Sequence, residues 1–227
     1  GTLDAAECPP TFNAPPDQVI GVIAGGYTAL TRGVEGAEDD ADGGRQALAD
    51  LNVREQDSVV CIAASGRTPY VIGAAEEARR RGALIVALVC NLPAPLAQHA
   101  DYVLAPLVGP EVIAGSTRLK AGTAQKLALN MLSTAVMVRL GKTYGNLMVD
   151  VRAENAKLHA RARRIVAQAC RISEEEAGTA LAKSGGEVKV AIVSDLAGCS
   201  PQAARERLAR AGGVVRAALA LEALNPD

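Results

Sequence analysis

Two stretches of this 227-residue chain combine hydroxyls, glycine and cationic side chains in an order that suits an anion. In Ala63-Ala64-Ser65-Gly66-Arg67-Thr68-Pro69-Tyr70, a turn follows an apolar run and opens a helical stretch, with Pro69 near the first turn. Backbone N–H groups at a helix start, two hydroxyls and the helix dipole make a ready phosphate site. Gly66 lets the backbone approach such a group closely. A plain strand-to-helix turn with a serine cap would read the same way; its place at a strand's carboxyl end favours phosphate. The candidates here are Ser65, Gly66, Arg67 and Thr68. The second stretch runs from Gly115-Ser116-Thr117-Arg118-Leu119-Lys120 to Lys126. Ser116 or Thr117 could cap a long helix, and the same helix start could hold an anion. Lys120 and Lys126 fall on different helix faces. Ser116, Thr117 and Lys120 are the candidates.

Two acidic places could move protons. Ala6-Glu7-Cys8-Pro9-Pro10 sets a carboxylate beside two prolines, where a rigid chain reversal is expected. Glu35-Gly36-Ala37-Glu38-Asp39-Asp40 sets Glu35 and Glu38 three apart, on one face if the stretch is helical. Charge runs are ordinarily solvated faces, and residues 35–40 alone would be read so. Two carboxylates at one ligand cleft would instead suit general acid–base work. Lys142-Thr143-Tyr144-Gly145-Asn146 through Asp150 reads as a turn with a polar ladder.

Composition excludes several classes. A net charge of −1 gives no electrostatic footprint for nucleic acid or an anionic membrane. At 2% aromatic residues there is little to stack bases on. No apolar run reaches membrane-span length, and Gly1-Thr2-Leu3-Asp4 has neither the basic nor the apolar region of a signal peptide. The five cysteines are odd in number, widely spaced and without a C-x-x-C, which fits reduced thiols in a cytoplasmic protein. With two histidines far apart, no metal-ligand cluster is visible.

The elements that must position these groups follow from patterning. Apolar runs at residues 19–24, 58–63, 84–90 and 102–107 do not alternate with polar residues, so each is expected to be a strand buried on both faces. Helical stretches lie between, at about 27–34, 42–51 and 68–81, with a short one near Leu96. The fold class is therefore α/β, a Rossmann-like parallel sheet flanked by helices, with ligands at the strands' carboxyl ends. Helices at 116–140 and 152–170 follow. Ser173 with Glu174–Glu176, and Ser200-Pro201, mark starts within a small three-helix bundle at 173–184, 187–197 and 200–212, which resembles a ubiquitin-associated-type fold. The expected domains are 1–150, a connecting helix at 151–172, and the bundle at 173–227.

Six stretches in order resemble the N-acetylmuramic acid 6-phosphate etherase family: residues 3–12, 35–39, 62–70, 108–126, 130–134 and 141–151. The resemblance implies the SIS (sugar isomerase) fold, a sugar-phosphate substrate, no cofactor and no metal, and a homodimer. It implies a lyase of peptidoglycan recycling that cleaves the D-lactyl ether by C2 deprotonation, elimination and hydration. It makes Glu7 the proton-donating acid and Glu38 the second catalytic carboxylate. The family also has a first strand and a Gly-Thr-Ser-Gly-Arg turn just before the Leu-Asp-Ala run. This chain begins at Gly1-Thr2, so the resemblance implies an N-terminal truncation without that strand and phosphate turn. Glucokinase regulatory proteins share parts of the Ser-Gly-Arg-Thr and Lys-Ala-Gly-Thr patterns. They suggest the rival reading of a non-catalytic sugar-phosphate-binding regulator, and a sugar-phosphate isomerase would share the C2 proton abstraction.

Overall fold

A computed structural model describes residues 1–151 and 156–221. The chain divides into two compact units: Gly1–Ala5 with Ile20–Met131, and Ala6–Val19 with Leu132–Asp227.

The first unit is α/β. Strands β1 (Ser58–Ile62), β2 (Leu84–Leu88) and β3 (Tyr102–Leu104) form a parallel sheet in the order β1-β2-β3, with Cys61 opposite Ala87 and Leu88 opposite Leu104. Helix α2 (Ala41–Asp50) precedes β1, and α3 (Pro69–Arg80) connects β1 to β2. Gly44 of α2 lies against the Tyr70 carbonyl and Gly73 of α3 against that of Ala41. A Cβ at either position would force the helices apart. The core beneath is built from small side chains, Ala74, Ala75, Ala78 and Ala87, around Ile85 and Leu96.

Three expectations need correcting. Residues 19–24 form no strand; Gly21 packs against Thr2, and Gly1 lies beside Ile62 of β1. The helix expected at 27–34 is a short 3-10 turn, Gly26–Leu30. Burial on both faces holds only for the central strand. Ile85, Ala87 and Leu88 of β2 are fully buried, whereas Tyr102 of edge strand β3 is 63% exposed.

The second unit is helical apart from a hairpin. Helix α1 (Thr2–Phe12) and helix α4 (Lys120–Arg139) each begin in the first unit and end in this one. Pro9 and Pro10 lie within α1, so the reversal expected there comes later, at Asn13 with φ 50°. Strands β4 (Thr143–Tyr144) and β5 (Leu147–Met148) form the antiparallel hairpin, turning at Gly145-Asn146. Helices α5 (Ala156–Cys170), α6 (Glu174–Lys183), α7 (Val188–Leu196) and α8 (Pro201–Arg210) pack around Val166, Ile192 and Val193. The Ser173 hydroxyl accepts from the N–H of Glu176, whose carboxylate accepts from the N–H of Ser173, a reciprocal cap. A fourth short helix, α9 (Val215–Ala220), joins the three expected after residue 173, and buries Val215 and Ala218 in the same core. The expected helix start at 152 and the bundle's last residues, 222–227, lie outside the described residues. Among those described, no helix is long and apolar enough to cross a membrane.

Candidate functional site

The turn after β1 is shaped by hydrogen bonds. The N–H of Ala63 continues the ladder to Leu88, and the N–H of Gly66 closes back on Ala63 at 2.9 Å. Gly66 has φ 64°, and a Cβ there would sit 2.6 Å from that of Ala94, so both conformation and space demand glycine. The Ser65 hydroxyl accepts from the N–H of Arg67 at 3.2 Å. Thr68 is the N-cap of α3, yet its side chain makes no capping bond, and Pro69 opens the helix. Ser65 and Arg67 are exposed and Thr68 half-buried.

Cys90, just past β2, joins this turn to the start of α4. Its N–H donates to the Ala64 carbonyl at 2.8 Å, and its thiol donates to the Ala121 carbonyl at 3.8 Å. Burial, and secondarily the charge of Glu111, push that thiol's pKa up. The two stretches singled out for phosphate are therefore both tied to one residue at the carboxyl end of the sheet. Ser116 is half-buried and Thr117 exposed, on the loop leading into α4. Neither hydroxyl caps that helix. The cap is Glu111, whose carboxylate accepts from the N–H groups of Lys120 and Ala121, each at 2.9 Å. These bonds, that from Ala121 foremost, hold its carboxyl below the usual carboxylate range. The Lys120 ammonium donates to the Val108 carbonyl at 2.7 Å, so it braces the same loop. An open concavity lies beside this helix start, lined by Arg118, Leu119, Lys120, Thr123, Ala124 and Leu127.

Sequence reasoning missed Glu111 as a cap because it lies nine positions before Lys120, beyond the reach of local capping patterns. The available signal was Gly109-Pro110-Glu111, a rigid acidic turn just before the hydroxyl-bearing stretch. Glu38 lies exposed on a 3-10 turn, Ala37–Asp39, entered through Gly36 at φ 74°. Glu35 falls outside that turn, so the two do not share a helical face. Asp40 caps α2 by accepting from the N–H of Gly43. In the second unit, Glu7 is exposed on α1 beside buried Cys8. Among the described residues, no group of three or more His, Cys, Asp or Glu side chains is placed to hold a metal ion.

Comparison with known proteins adds to this geometry. The SIS domain family matches residues 42–135. The N-terminal SIS domain of glucokinase regulatory protein matches residues 3–79, and that protein's C-terminal lid domain matches residues 145–189. A protein of Rubrobacter xylanophilus named N-acetylmuramic acid 6-phosphate etherase is 60% identical over 96% of this chain and 72% of its own length. Proteins of the same name from Streptomyces avermitilis and Rhizobium rhizogenes are 57% and 54% identical over 97% and 96% of the chain, in each case 71% of their own length.

Proposed function

Because the chain belongs to the N-acetylmuramic acid 6-phosphate etherase family, we propose that it cleaves the D-lactyl ether at C3 of N-acetylmuramate 6-phosphate. The products are N-acetylglucosamine 6-phosphate and D-lactate, and the reaction is a carbon–oxygen lyase step followed by hydration. The observation that carries this reading is the high identity over nearly the whole chain.

The chemistry needs two proton-handling groups and a grip on the phosphate. In the open-chain sugar the aldehyde acidifies the C2 proton. Removal of that proton expels lactate from C3 and leaves a C2–C3 double bond conjugated to the aldehyde. Water then adds at C3 and a proton returns to C2. Glu7 and Glu38 are the pair that give and take these protons. Ser65, Gly66, Arg67 and Thr68 receive the phosphate from one side and Ser116 and Thr117 from the other, supported by the common tie of both stretches to Cys90. Lys120 supports this site by bracing the loop to Val108, with its charge close to the helix start. Residues 1–150 supply the sugar-phosphate domain, 151–172 the connecting helix, and 173–227 the small bundle. The protein acts in the cytoplasm as a homodimer. Its five free cysteines support the first of these, and the 53% and 68% exposure of Leu127 and Met131 on α4 supports an apolar contact with a second copy.

The matches to glucokinase regulatory protein favour one alternative, a sugar-phosphate-binding regulator without turnover. D-lactate release from N-acetylmuramate 6-phosphate, followed with a lactate dehydrogenase, separates the two: the etherase produces it catalytically, and a regulator binds the sugar and releases none.

A further inference from the structure

We propose that Glu111 is a positioning residue for the substrate's phosphate: its carboxylate clasps the start of α4 and thereby fixes the 112–119 loop that presents Ser116 and Thr117. This rests on the reading of those two hydroxyls as phosphate ligands. Beyond the bonds that Gly122 and Thr123 of α4 donate to the Thr117 and Leu119 carbonyls, the loop has few other ties. Val112 is 89% exposed and Ile113 61%, and only Ser116 and Leu119 are half-buried, so burial contributes little to its order. Its internal bonds are local turns, Ser116 to Ile113 and Thr117 to Gly115, and Gly115 sits at φ 83°. What joins its two ends is polar. Glu111 accepts from the N–H groups of Lys120 and Ala121, and Lys120 reaches back to the Val108 carbonyl. The loop is closed at its neck by both clasps and left open at its tip.

A carboxylate suits this task because it accepts two N–H groups at once and complements the positive end of the α4 dipole. A neutral amide in its place keeps one acceptor oxygen, and alanine keeps none. Glu111 makes no contact with the reacting carbons in this account. Its loss should therefore disturb binding through Ser116 and Thr117 more than the chemical step.

The test compares the full chain with Glu111→Gln, Glu111→Asp and Glu111→Ala. Deuterium exchange over residues 112–121, melting temperature, and KM and kcat for lactate release are measured for each. In Glu111→Ala, exchange at 112–121 should quicken while the rest of the first unit keeps its protection. KM should rise about tenfold or more, the order of one lost bond to a charged acceptor, with a much smaller change in kcat. Glu111→Gln should fall between, and Glu111→Asp should recover part of the loss. A wild-type KM in Glu111→Ala would overturn the proposal. So would a parallel fall of kcat, KM and melting temperature with no local change in exchange, which is the mark of a plain helix cap. Should the wild-type chain release no lactate, the functional reading fails separately, and exchange decides the clasp: unchanged protection at 112–121 in Glu111→Ala overturns it.

Discussion

The N–H of Cys90 donates to the carbonyl of Ala64 at 2.8 Å, which locks the segment after β2 to the turn that carries Ser65. The Cys90 thiol meets the Ala121 carbonyl at the start of α4. A phosphate held by both stretches would be gripped by hydroxyls whose spacing is set by the sheet.

Ser65→Ala and Thr68→Ala should therefore each weaken binding of N-acetylglucosamine 6-phosphate by about tenfold or more, since a hydrogen bond to a charged group contributes about 1.5–3 kcal/mol. Calorimetric titration checks this. Unchanged affinity in both variants would remove the turn from the phosphate site.

Gly66→Ala should do more damage than either. The new Cβ would meet Ala94 at 2.6 Å while the backbone stays at φ 64°. Strain of this kind costs on the order of 1–3 kcal/mol. Both the melting temperature and the affinity for the sugar phosphate should fall.

Glu7→Gln and Glu38→Gln should each lower kcat by about a hundredfold or more, the usual cost of losing a positioned acid or base, with a smaller effect on binding. Glu35→Gln, outside the 3-10 turn that carries Glu38, should keep most of the activity. Steady-state kinetics on the three variants reads the outcome; an essential Glu35 beside a dispensable Glu38 would reverse the assignment.

Buried Glu77 on α3 accepts from both Arg80 and Arg81, and these bonds, Arg80's foremost, bring its pKa down to about 2. A depressed carboxylate pKa stabilises the fold above the unfolded value of 4.5, and that contribution disappears as pH falls toward 2. Glu77→Gln should melt lower than wild type at pH 7, and the difference should shrink steadily below pH 4.5. Thermal melts across pH 2–7 measure it.

How far the sequence revealed this arrangement depended on whether the cause was local. The turn at Ser65-Gly66-Arg67-Thr68 that opens α3, the reciprocal cap of Ser173 and Glu176, and the central strand β2 were all legible, because each follows from neighbours in sequence. Residues 19–24 carry a strand's apolar composition, but a strand also needs a paired neighbour, and apolar composition does not encode one; Gly21 packs against Thr2 instead. Pro9 and Pro10 suggested a reversal that Asn13 makes instead; its side chain donates to Asp150 at 3.2 Å, a partner 137 residues away. Glu111 was hidden for the same reason, since its role depends on a loop closure that no short pattern encodes.

The central claim is that this chain eliminates lactate across C2–C3 and then adds water at C3. The most direct test is to turn over N-acetylmuramate 6-phosphate in deuterium oxide enriched in oxygen-18 and to analyse both products by mass spectrometry. The account predicts one carbon-bound deuterium at C2 and one oxygen-18 at C3 of N-acetylglucosamine 6-phosphate, with the lactate hydroxyl oxygen unlabelled. Oxygen-18 in that lactate hydroxyl, or a product without deuterium at C2, would contradict it.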